Sequence, residues 1–308
     1  MEFNLVNLRF QITTDNTVAL VQWLFRAGAE FSSACRDAIC QWPVRDCQKC
    51  PERRDCPWNQ VFSQKLALNP DALKRHQKPP LPFVFSFECL DSYSGNSGTV
   101  TVKFVVVGGA ISCLDMLLTG FAALVERHTE NFYCKLGTIS SLDYQGNARV
   151  IGEDVHIDKI KDLVILSASG VIDCRHQWDC DRIGFNFTTP LRLVHKGHIL
   201  KHFNPSTFTR SLLRRVSSMA YYYGDCSEAD FKELSSQSDR IKCCEDTSSF
   251  KPLWMGANKF SGIIGNCLLS GNFDDLLPFF ILGSYLHVGK GASFGMGNYA
   301  LYTDQVLV

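Results

Sequence analysis

Residues 104–125 limit the possible folds more than any other part of this 308-residue sequence, because Asp115 is their only charged residue. A run so long and apolar either crosses a membrane or sits inside a core. Gly108-Gly109 splits it into a β-branched run and a helical run. The expectation is a strand feeding a buried helix, with no membrane span.

The same reading extends in both directions. Residues 4–13 alternate apolar and polar around Leu5, Val6, Leu8, Phe10 and Ile12, as a strand does. Residues 16–40 read as helix, broken near Gly28. A cysteine-rich segment follows, then a connector with Pro79, Pro80 and Pro82. Residues 83–89 and 99–107 are β-rich, with Gly95-Asn96-Ser97-Gly98 as turn chemistry between them. Residues 111–127 suit an amphipathic helix, and 132–151 a hairpin around Gln145-Gly146-Asn147. The order is β-α-β-β-α-β with an insertion after the first helix, which is the ferredoxin-like order.

The second half gives a weaker version of it. Residues 183–194 read as a strand that turns near His195-Lys196-Gly197, and 206–223 as a helix. Residues 260–270 read as a strand, and 274–287 as a helix with acids at its start. A loop at 289–297 and a last strand at 299–306 complete it. The fold class expected is α+β: tandem ferredoxin-like (RRM-like) domains with a Cys-rich metal-binding insertion. The N-terminal domain takes 1–151 with the insertion at 40–57. Residues 152–181 form a linker or extension, and 182–308 the C-terminal domain with its glycine loop at 289–297. The polar residues 227–249 are expected to form a mobile loop.

Composition excludes some classes. With 45% hydrophobic and 20% charged residues, each half can bury a core, so this is not a disordered chain. The formal net charge is zero, which excludes a broadly basic nucleic-acid coat and leaves a local patch. Met1-Glu2-Phe3-Asn4 lacks the basic start and apolar core of a signal peptide, so a cytoplasmic protein is expected. The 14 cysteines then do not read as a disulfide framework.

Four features carry chemistry. Gly289, Gly291, Gly295 and Gly297 expose backbone N–H groups and allow a phosphate backbone to approach, while Lys290 adds charge, Ser293 a donor and Phe294 a stacking surface or core anchor. Residues 182–224 contain no Asp or Glu, yet hold Arg182, Arg192, Lys196, Lys201, Arg210, Arg214 and Arg215 together with His195, His198 and His202. Such a stretch suits phosphate neutralisation. Cys40-x6-Cys47-x2-Cys50-x5-Cys56 supplies four soft ligands, suited to structural zinc or an iron–sulfur cluster and leaving no open position for a catalytic metal. Cys35 is either a fifth candidate or a core thiol. Cys174-x-His176-x3-Cys180 has no convincing fourth ligand and is not read as a site. Finally, acid–base chemistry at a phosphate needs a base, an acid and a cation. His198 and His202 lie in the basic stretch. His287 stands at the mouth of the glycine loop, where a helix C-terminus raises an imidazole pKa, and His76 follows Lys74-Arg75.

The run Leu282-Gly283-Ser284-Tyr285-Leu286-His287-Val288-Gly289-Lys290-Gly291-Ala292-Ser293-Phe294-Gly295-Met296-Gly297-Asn298-Tyr299 resembles the signature of the CRISPR-associated repeat-processing endoribonucleases, members of the RAMP superfamily. Thr189-Pro190-Leu191-Arg192-Leu193, Arg210-Ser211-Leu212-Leu213-Arg214-Arg215-Val216 and Phe260-Ser261-Gly262-Ile263-Ile264-Gly265 resemble the same family in the same order. Cys56-Pro57-Trp58 with Phe62 beyond resembles the end of a cysteine-rich insertion found in a subset of it. The resemblance implies binding of CRISPR repeat RNA and metal-independent cleavage by 2′-OH attack. It also implies a 2′,3′-cyclic phosphate end and handover of the crRNA to effector-complex subunits. RNA contact would fall to the glycine loop and to Arg192, Lys196, Arg210, Arg214 and Arg215. Members often carry a catalytic His in the first helix, and Phe31-Ser32-Ser33-Ala34-Cys35-Arg36-Asp37 has none. A non-catalytic RNA-binding subunit of an effector complex is therefore the alternative, and an unrelated zinc-stabilised scaffold a third.

Overall fold

The computed structural model describes residues 1–42, 46–68, 79–87, 96–128, 133–153, 156–157, 160–175, 181–225, 231–255, 258–303 and 306–307. His76, Gly95, His176 and Cys180, singled out above, lie outside them. The chain divides into two units, one of Asn4–Leu166 and one of Met1–Phe3 with Ser167–Val308.

Alternation builds the first unit's central strand, β1 (Asn4–Thr14): Leu8, Phe10, Ile12 and Thr14 are buried while Gln11 and Thr13 are exposed. Asn16 then caps α1 (Thr17–Arg26), its Oδ1 accepting from the Ala19 N–H at 2.9 Å. The helical stretch breaks at Ala27 and resumes as α2 (Gly28–Ile39). After α3 (Pro57–Phe62) come β2 (Phe83–Phe87) and β3 (Gly98–Val107). The apolar run behaves as its glycines require. β3 ends at Val107, just before Gly108 (φ +59°), and a 3-10 turn (Gly108–Cys113) leads into α4 (Leu114–His128). Among the described residues Gly108–Arg127 is long and apolar enough to cross a membrane, but 61% of its apolar window is buried inside the protein. Strands β4 (Cys134–Leu142), β5 (Ala148–Glu153) and β6 (His156–Ile157) follow, with β7 (Leu166–Ser167) at the division between units. The antiparallel sheet runs β2-β3-β1-β4-β5-β6, and its first four strands have ferredoxin-like order.

Aromatic rings fill the space between this sheet and its helices. Phe85 stacks on Phe104 at 4.3 Å between centroids, and Phe31 meets Phe83 and Phe85 edge-on at 5.3 and 5.2 Å. Cys35 lies against α4 so closely that a Cβ on Gly120 would stand 2.4 Å from its sulfur. Burial pushes the Cys35 thiol up to about 12, so it is a core thiol.

The second unit runs through α5 (Ala168–Asp173), β8 (Arg182–Leu191), the short strands β9 (Val194–His195) and β10 (His198–Ile199), and α6 (Pro205–Tyr223). Then come α7 (Phe231–Ser238), β11 (Lys242–Asp246), β12 (Ser249–Met255), β13 (Asn258–Ser270), α8 (Leu277–Leu286), β14 (Tyr299–Thr303) and β15 (Val306–Leu307). Its sheet order is β11-β13-β8-β14-β15, with β12 also on β13, so β8, β11/β12, β13 and β14 repeat the ferredoxin-like order. Phe185, Phe208 and Phe280 form its aromatic core.

One expectation is corrected. The polar segment 227–249, expected to be a mobile loop, carries α7 and β11 in its described part. All five residues of β11 are exposed, so no apolar alternation marks it; it is held by backbone pairing to β13, from Lys242↔Ser270 to Asp246↔Cys267. The division between the units falls within residues 152–181, between Leu166 and Ser167. The first three residues join the second unit through the Glu2–Asp225 bridge and the Ala168 N–H donating to the Phe3 carbonyl at 2.9 Å. Pairing this distant in sequence leaves no local pattern.

Candidate nucleic-acid interface

In the second unit, α8 stops at Leu286 and the chain leaves it through His287, whose φ is +54°. The return to β14 is stitched to β8 by backbone bonds. The Lys290 N–H donates to the Arg192 carbonyl at 2.9 Å, and the Gly297 N–H to the Pro190 carbonyl at 3.1 Å. The neck closes on itself where the Val288 N–H donates to the Gly297 carbonyl at 3.3 Å. Thr189, fully buried, works in both directions: its hydroxyl donates to the Gly295 carbonyl at 2.7 Å and accepts from the Asn298 N–H at 2.9 Å.

Glycine is needed at the neck because backbone passes there. A Cβ on Gly297 (φ +66°) would stand 1.9 Å from the Val288 carbonyl oxygen, and one on Gly289 (φ +90°) 2.7 Å from that of Arg192. Only the crest is open. Lys290 and Gly291 are exposed, Phe294 is half-buried, and Ala292, Ser293 and Gly295 are buried.

The segments whose resemblance was noted converge on this neck. Pro190 and Arg192 supply its acceptors, and Gly262 of β13 passes Pro190 so closely that a Cβ would lie 2.8 Å from the Leu191 carbonyl. Arg215 reaches in from α6, with Nη2 donating to Ser293 Oγ and Nε to the Leu286 carbonyl, each at 3.3 Å. Burial lowers its guanidinium to about 10, with the charge of Tyr223 acting against that shift, so Arg215 stays charged at neutral pH.

The predicted cations thus separate. Arg215 is half-buried and braces the loop. Arg210 is engaged on α7, with Nε donating to Ser235 Oγ at 2.9 Å and Nη2 pairing with Asp239. Both guanidinium groups therefore have partners within the protein. The acid that occupies Arg210 lies outside the acid-free stretch, so the stretch gave no sign of it. Arg214, Lys196, Lys201 and Lys290 are exposed, and no ion pair among the described residues engages Arg214. Arg192 is half-buried, and its carbonyl rather than its guanidinium holds Lys290.

The histidines separate as well. His287 is 1% exposed, so the expected imidazole at the loop mouth is withdrawn from solvent. His198 and His202 are exposed. Lys196 (φ +48°) and Gly197 (φ +82°) both have positive φ, the primed hairpin turn, and this turn sets His195 directly opposite His198. The pairing of His195 with His198 was missed; the Lys196-Gly197 turn between them was its signal. The hairpin begins at Val194, two residues after Arg192, whose carbonyl holds the Lys290 N–H.

In the first unit, Cys40, Cys47, Cys50 and Cys56 line one cavity, and all four are free thiols. They do not close on a point: among the described residues no group of three or more His, Cys, Asp or Glu side chains is spaced to hold a metal ion.

A family model described as CRISPR-associated endoribonuclease Cas6 matches residues 185–299, which contain the loop and every segment that meets it. A second model, AF_1859_N, described as an N-terminal domain, matches residues 3–157. No curated protein sequence matches significantly. In fold the chain is similar to Thermus thermophilus Cas6 (TTHB231), with a TM-score of 0.55 at 11% identity over 97% of this chain and 99% of that one. It is also similar to a chain of a partial Cas6-RT-Cas1–Cas2 complex, with a TM-score of 0.56 at 12% identity over 99% of this chain and 47% of that one.

Proposed function

This chain belongs to the Cas6 family of CRISPR-associated endoribonucleases, in the RAMP superfamily, and on that premise we propose that it binds CRISPR repeat RNA and cuts the precursor transcript. The observation that carries the reading is the exposed glycine crest with Lys290, held by the Arg192 carbonyl two residues before the His195–His198 hairpin begins. Phosphate oxygens meet Lys290, Lys196 and Arg214, and the half-buried Phe294 offers a face on which a base stacks. One imidazole of the hairpin takes the proton of a 2′-OH, whose oxygen attacks the adjacent phosphorus. The 5′-oxygen leaves with a proton from a second donor. The products are a 2′,3′-cyclic phosphate and a 5′-OH, and the cations stabilise the charge of the phosphorane between them. His202 is the further exposed candidate, and no catalytic metal is required. The reading places the chain in the cytoplasm, handing crRNA to other subunits of a CRISPR complex.

One observation favours a second reading, RNA binding without cleavage: α2 carries no histidine over residues 31–37. Repeat RNA incubated with the protein in EDTA, followed by end-group mapping, separates the two. Cleavage to a 2′,3′-cyclic phosphate that a 2′-deoxy substitution blocks is the expected result. Tight binding with intact RNA would establish the second reading instead.

A further inference from the structure

The four cysteines of the insertion are placed by two different means. Cys40 is the residue at which α2 ends, and Cys56 the one from which α3 begins. Both helices are fixed to each other: Trp58 Nε1 donates to the Ser32 carbonyl at 2.7 Å, and the Arg36 guanidinium lies 5.5 Å from the centre of the Trp58 ring. Two sulfurs thus stand on anchored helix ends. The other two, Cys47 and Cys50, sit on turns whose backbone bonds are local, such as Lys49 N–H to Asp46 and Arg53 N–H to Cys50.

The walls of the cavity carry donors that face the sulfurs without a partner. Trp42 Nε1 and Arg36 Nε are buried without a hydrogen-bond partner, and both residues line the cavity beside the sulfurs. An orphaned N–H costs free energy, and a neutral thiol accepts poorly. A thiolate accepts well. Arg36 and Arg53, both in the wall, supply two positive charges against the two net negative charges of four thiolates on a divalent ion.

We propose that Cys40, Cys47, Cys50 and Cys56 bind one zinc ion as thiolates, with Trp42 and Arg36 donating hydrogen bonds to the sulfurs. Cys40 and Cys56 are the fixed half of the site, and binding draws the Cys47-x2-Cys50 clip onto them. Four thiolates fill the tetrahedron, so the ion braces the insertion and performs no chemistry on RNA. The inference does not depend on repeat RNA being the substrate.

The test uses the full chain, reduced, stripped of metal and titrated with zinc chloride alone. About one zinc per chain is expected. On loading, mass spectrometry should show Cys40, Cys47, Cys50 and Cys56 protected from alkylation, and a chelator should restore their reactivity. Trp42→Phe keeps the ring and removes the N–H; it should retain one zinc but bind it roughly tenfold more weakly in chelator competition. The Cys47→Ser, Cys50→Ser double variant should bind none. Alkylation of the four cysteines at the same rate with and without zinc overturns the site, even if the serine variant fails to fold. Zinc held by that variant, or an iron–sulfur cluster in anaerobically purified protein, overturns it as well. Parental affinity in Trp42→Phe would remove the indole from the proposal.

Discussion

The glycine loop and the cysteine segment are both irregular, and opposite means hold them. At residues 288–298 the backbone makes the structure: amides and carbonyls are stitched to β8, and side chains are excluded where strands of backbone pass. At residues 46–56 the amides of Lys49, Arg53, Asp55 and Cys56 donate to carbonyls of the same segment, residues 51–55 are exposed, and the cysteines line the cavity. The first segment is held by its own backbone bonds to a strand. Among the described residues the second is tied to α3 mainly at its end, where Asn59 Nδ2 donates to the Arg53 carbonyl at 3.0 Å. An irregular segment is ordered either by backbone bonding, which favours glycine, or by cross-linking side chains, which favours cysteine.

Hydrogen exchange tests the contrast most directly. In metal-free protein the amides of Lys290 and Gly297 should exchange at least about a hundredfold more slowly than those of Lys49 and Arg53. Equal rates would mean the stitches do not hold the loop. Next in size is the neck itself. Gly297→Ala should cost about 3 kcal/mol or more in urea unfolding, because its Cβ meets a carbonyl oxygen and its φ is positive. Gly291→Ala should cost about 1–2 kcal/mol, since only the flexible Met296 side chain stands near. If the two cost the same, the distinction between neck and crest is lost.

Arg215→Met should cost about 2 kcal/mol of stability, leaving Ser293 and the Leu286 carbonyl without their donor. RNA affinity should fall with the loop while the salt dependence stays parental; a slope lowered by about one would make Arg215 a phosphate ligand after all. Lys290→Ala should weaken RNA binding by about 1–2 kcal/mol and lower the slope by about one, at an unchanged melting temperature. The smallest effect belongs to Arg210→Ala. Its exposed pair with Asp239 is worth about 0–1 kcal/mol, and the salt slope should not move.

The sequence determined a good deal by itself. Alternation in β1, the glycines at 108–109 and the apolar helix beyond them specify a ferredoxin-like unit, because each is a local consequence of side-chain period and backbone freedom. The glycine loop was legible for the same reason, and its acid-free neighbour marked a basic surface. Only the tertiary structure shows which of those cations have partners within the protein. Arg210 is engaged by Asp239 and Arg215 by Ser293 and the Leu286 carbonyl, partners 29, 78 and 71 residues away. It also withdrew His287 into the interior, put His195 opposite His198, and joined β11 and the first three residues to the second unit. Those outcomes rest on pairings between distant residues. Composition and period register what a residue is and which face it shares, but not which distant group is brought against it.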